Sequence, residues 1–158
     1  MSGTAVSAFE KFTLALRRLF SAGSEEAASA DAVPQAAALL LSEVARVDHD
    51  VKEIDLAAAR EGLQQLFPMD SEKSAAMLEA AGRLENRPTS YHAIVNLLNR
   101  ELSAQQKIDL IEQMWRVAQI DQEIDMYEDH LVRKISDLLY VPHREFIAAK
   151  HRAAKGAG

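Results

Sequence analysis

The sequence predicts an all-α protein, a helical bundle of about seven helices containing two pseudo-repeated helix–acidic turn–helix units. Three observations predict it. Apolar residues recur at spacings of three and four over nearly the whole chain, which is the period of a helix that buries one face. No alternation of apolar and polar residues lasts beyond a few positions, so no half-buried strand is indicated. Capping residues and prolines stand where apolar periods begin, as they do at helix starts.

From the N-terminus, residues 7–20 form an amphipathic stretch with Phe9, Phe12, Leu16, Leu19 and Phe20 on a broad apolar face and Lys11, Arg17 and Arg18 elsewhere. A small, polar, aperiodic and acidic stretch comes next, read as a flexible linker over 23–33. Pro34 opens an Ala- and Leu-rich helix to about Val47, apolar enough to be buried on most sides. After "DHDVKE", Leu56, Ala59, Leu63 and Leu66 mark a helix that stops near Phe67 and Pro68. "MDSEK" begins another, to about Glu85, with Asp70 and Ser71 both good N-caps. Tyr91, Ile94, Leu97 and Leu98 mark a short helix after "NRPTS". Ser103 and Gln106 have the capping-box spacing, and the long helix they open carries Ile108, Ile111, Trp115 and Ala118 on one stripe. Ile124, Tyr127, Leu131, Ile135 and Leu138 give the next helix its stripe, and Pro142 opens the last. Three domain units result: 1–22, an amphipathic N-terminal helix; 23–33, the linker; 34–158, the helical domain.

Composition narrows the function. At 158 residues the chain suits one domain with a continuous core. It has no cysteine, which removes disulfides, thiolate metal sites and cysteine nucleophiles and fits a reducing cytoplasm. A net charge of −6 opposes nonspecific nucleic-acid binding, which needs clustered cations to neutralise phosphates. The apolar runs fall short of a membrane span and the N-terminus lacks a signal-peptide order. A cytoplasmic location is the expectation.

The chain also repeats itself. Laying 40–59 over 113–132, an offset of 73, pairs Val44 with Val117, Ala45 with Ala118 and Asp48 with Asp121. Asp50 then meets Glu123, Val51 meets Ile124 and Asp55 meets Glu128. Acidic and apolar positions agree together, as expected of a duplicated unit.

The paired motifs "DHDVKEID" and "DQEIDMYE", each following an apolar helix, resemble the tellurite-resistance protein B-like (TerB-like) domain. "SYHAIVNLLNREL" and the stretch from Leu110 to Ala153 extend the likeness to a group of uncharacterised bacterial proteins carrying that domain. The resemblance implies an all-α bundle in two pseudo-repeats and a link to tellurite resistance or stress response. The functional positions it matches are Asp48, Asp55, Asp121 and Glu128, with Asp50 and Glu123 secondary. His49 and Gln122 stand where the family usually has Gly.

Two readings of the acidic turns stand side by side. Hard divalent cations take several converging carboxylate oxygens, and Asp48 and Asp121, recurring ahead of both helices, can supply them. The same acids suit helix capping: Asp125 and Glu128 have D-x-x-E spacing, as do Asp50 and Glu53. No EF-hand fits, since the sixth and twelfth positions are Glu53 and Ala59 in one turn and Met126 and Val132 in the other. His130 is a candidate nitrogen ligand beside the second turn; His143 and His151, like it, read as surface or packing residues. Trp115 and Tyr127 read as core.

The expectation is a non-enzymatic interaction or sensing module with a divalent cation in its acidic turns and no other cofactor. The alternative is a structural adaptor without a metal site, docking to a protein partner, to a second copy as a homodimer, or to a membrane surface through residues 7–20. A metal-dependent hydrolase is the third reading, although the chain carries no Gly-rich phosphate loop, H-E-x-x-H pair or nucleophile turn.

Overall fold

The computed structural model describes residues 31–47, 51–83, 91–120 and 124–156. The amphipathic N-terminal stretch lies outside these residues, as does most of the linker. Seven helices and no strands make up the described chain: α1 (Ala32–Arg46), α2 (Glu53–Leu66), α3 (Ser71–Gly82), α4 (His92–Glu101), α5 (Ala104–Gln119), α6 (Met126–Leu138) and α7 (His143–Gly156). The fold is an all-α bundle.

Two helices form its centre. α1 packs against α2, α3, α4, α5 and, slightly, α6, while α5 packs against α1, α2, α6 and α7. The sequence explains why α1 is central. Residues 36–42 are buried without interruption, which only a helix covered on nearly all sides allows. In α5, Leu110, Ile111, Gln113, Met114, Trp115, Val117, Ala118 and Gln119 are buried, a face more than half the helix wide. Trp115 is 0% exposed, with the Phe146 ring of α7 at 5.3 Å between centroids and the Lys150 ammonium 4.9 Å from its own centroid. The tryptophan thereby joins α5 to α7 through packing and a cation–π contact.

Helix α1 begins two residues before Pro34, taking in Ala32 and Val33 from the expected linker. Pro34 is tolerated as the third helical residue because the first N–H groups of a helix have no intrahelical acceptor to lose. Ser103 and Gln106 form the expected box, with Gln106 N–H donating to Ser103 Oγ at 3.1 Å and Ser103 N–H to Gln106 Oε1 at 2.8 Å. Asp70 caps α3, accepting from Lys73 N–H at 2.8 Å.

One expected core residue is on the surface. Tyr127 is 64% exposed, because α6 buries Glu128, Leu131, Val132, Ile135 and Ser136. Its inner face is therefore rotated by one residue from the stripe read through Tyr127.

The helix boundaries keep the 73-residue offset closely. The α1–α2 connection occupies 47–52 and the α5–α6 connection 120–125; the α2–α3 and α6–α7 connections occupy 67–70 and 139–142. Packing differs between the halves, since the backbone of α2 lies close to both α3 and α5, whereas α6 and α7 meet through long side chains, Asp129 with Lys150 and Arg133 over the Phe146 ring. No helix among the described residues is long and apolar enough to cross a membrane.

Candidate functional site

Each acidic turn leaves a central helix and ends in the first turn of the next. Asp48 and Asp50 in the first, and Asp121 and Glu123 in the second, lie outside the described residues. Downstream of each turn, Asp55 and Glu128 both occupy the third position of their helices. They are 7% and 6% exposed. A buried carboxylate needs hydrogen bonds to offset its lost hydration, and the helix start provides donors.

The two starts are built differently. Before α6, Asp125 Oδ1 accepts from Tyr127 N–H at 2.6 Å and Glu128 N–H at 3.1 Å, while Glu128 Oε1 accepts from Asp125 N–H at 3.1 Å. This is a complete reciprocal box. Before α2 the N-cap is Lys52, whose N–H donates to Asp55 Oδ2 at 3.2 Å. The reverse bond has no acceptor, because an ammonium only donates. Glu53, expected to pair with Asp50, is the first helical residue and its carboxylate reaches out to the Arg60 guanidinium at 2.5 Å, while Asp50 lies outside the described residues. Burial sets this register, since Asp55, Ala58, Ala59, Gly62 and Leu63 form the inner face of α2.

Asp55 and Glu128 each commit one oxygen to a cap, and their hard carboxylate chemistry suits calcium, magnesium or manganese. Among the described residues no three His, Asp or Glu side chains gather where they could hold a metal ion. The turn acids Asp48, Asp50, Asp121 and Glu123 fall outside the residues so described. His130, His143 and His151 are exposed, and Asp129 beside His130 faces the Arg133 guanidinium at 3.6 Å and the Lys150 ammonium at 3.7 Å.

A feature not read from the sequence lies at another corner. A cleft of about 410 Å³ opens between the start of α1, the α2–α3 connection and the α4–α5 connection. It joins residues far apart in the chain, and no local motif signals that.

No curated protein and no solved structure matches the chain. The family model described as tellurite resistance protein TerB matches residues 34–151, a span that runs from α1 into α7 and includes both acidic turns. Helical architecture and paired motifs agree with that match, and the chain belongs to the tellurite resistance protein TerB family.

Proposed function

We propose that this protein is a non-catalytic TerB module that binds a divalent cation through its two acidic turns and acts as an interaction or sensing unit in tellurite resistance or a related stress response. The observation carrying the reading is the equivalence of Asp55 and Glu128: two buried acids, 73 residues apart, in the same helical position after connections of the same length. Each turn adds two more acids, Asp48 and Asp50 or Asp121 and Glu123. Carboxylates sharing one site repel, and a divalent cation relieves that repulsion. A ligand that binds only the folded state stabilises it by mass action, by about 2.7 kcal/mol at one hundred times Kd. In a domain of this size that raises Tm by about 5–10 °C. Melting curves with millimolar calcium, magnesium, manganese or zinc should show such a rise with at least one ion, and Asp48→Asn combined with Asp121→Asn should remove it. The same Tm with every ion would end the proposal.

The second reading, a structural adaptor whose acids only cap helices, is favoured by the complete box at Asp125 and Glu128. It expects no ion-dependent change in Tm and a loss of stability from Asp125→Ala or Glu128→Ala.

A further inference from the structure

We infer that the cleft at the start of α1 is the docking site for this chain's own N-terminal segment, residues 7–20. The inference is independent of the acidic turns. The cleft walls are Val33 and Pro34 from α1, Phe67, Pro68 and Met69 from the α2–α3 connection, and Leu102 before α5. All six are apolar, and only Leu102 is buried. At the rim, Asp31 and Lys73 form an ion pair at 3.0 Å, while the exposed carboxylate of Glu101 makes no ion pair among the described residues.

The segment has matching chemistry. Phe9, Phe12, Leu16 and Leu19 recur at helical spacing, with Lys11, Arg17 and Arg18 off that stripe. Left in water together they form a patch of the kind that marks an interface. A helix of this length is about 21 Å long and about 10–12 Å across, a volume several times that of the cleft. Only side chains enter, and Phe12 and Leu16, at the middle of the stripe, are the ones the walls accept. One or more of the three cations then faces Glu101.

Tether length selects this occupant over a second copy. Asp31, itself part of the rim, is separated from Phe20 by residues 21–30, which reach at most about 33–36 Å when extended. A tether of ten residues holds its cargo at an effective concentration in the millimolar range, above what free copies of the chain reach in dilute solution.

The absence of native cysteine makes a direct test simple. A nitroxide placed on Gln105→Cys, an exposed position next to the cleft residue Gln106, should broaden the backbone amide signals of residues 9–20 in the full-length isotope-labelled protein. Phe12→Asp with Leu16→Asp should restore those signals and leave the bundle's spectrum intact, and Met69→Asp in the cleft wall should do the same from the other side. Unbroadened signals in the parent protein overturn the proposal. So does broadening seen only when the nitroxide is carried by unlabelled copies mixed with labelled ones, which assigns the cleft to a second copy. Unbroadened segment signals that disappear on adding phosphatidylcholine–phosphatidylglycerol vesicles overturn it in favour of a membrane surface.

Discussion

Gly62 and Gly82 show how the same substitution can take opposite signs. A Cβ on Gly62 would stand 3.1 Å from Gln113 Oε1 and 3.3 Å from Gln113 Cβ; the latter is fixed to the α5 backbone. Overpacking of this kind costs about 1–3 kcal/mol against about 1 kcal/mol of helix propensity gained over glycine. Gly62→Ala should therefore lower the urea midpoint. At Gly82 the nearest atoms to the new Cβ belong to the Arg46 guanidinium, the far end of a flexible side chain that can shift at the cost of its bond to Ser42 Oγ. Gly82→Ala should leave the midpoint unchanged or raise it. Tyr140 gives a third case: it adopts φ 61° after the end of α6, where Val141 N–H donates to the Ser136 carbonyl at 3.0 Å and Tyr140 N–H to that of Asp137 at 3.1 Å. This is a Schellman ending with tyrosine in the position glycine prefers. Its side chain is 80% exposed, so little packing is lost on replacement. Tyr140→Gly should stabilise by up to about 1 kcal/mol, read from the shift in the urea midpoint.

Among helices, the sequence is most legible where the determinant is local. Ser103 with Gln106, Asp70, and Asp125 with Glu128 are each readable from spacing alone, because a cap is satisfied within four residues. The start of α2 departs from its expected register because the spacing of Asp50 and Glu53 overlaps that of Lys52 and Asp55, and burial of Asp55, Ala59 and Leu63 on the inner face of the helix decides between them. Tyr127 departs from its expected core position for a related reason: a helix face one residue over, through Glu128, puts an acid inside and an aromatic outside. Capping also predicts unequal losses. Asp125 accepts two backbone N–H groups and Ser103 one. Asp125→Ala should cost about 1–2 kcal/mol, Ser103→Ala about 1 kcal/mol or less, compared by denaturant unfolding at constant pH.

At the scale of the molecule, the all-α class and the order of helices are legible because period and punctuation repeat along the chain. The cleft is not, since it is assembled from three separate stretches. The candidate cation site is legible as residue types only; its geometry depends on turns 48–50 and 121–123. Duplication makes a structural prediction here. A pairwise superposition should bring α1 and α2 onto α5 and α6, with Ala45 and Ala118 at equivalent close helix contacts; unrelated crossing angles would refute the repeat. If both turns serve one ion, calorimetric titration of the metal-free protein with the ion that raises Tm should give one ion per chain, with binding lost in Asp48→Asn and in Asp121→Asn alike. Two ions per chain, each abolished by only one of these substitutions, or binding that survives both together, would contradict it.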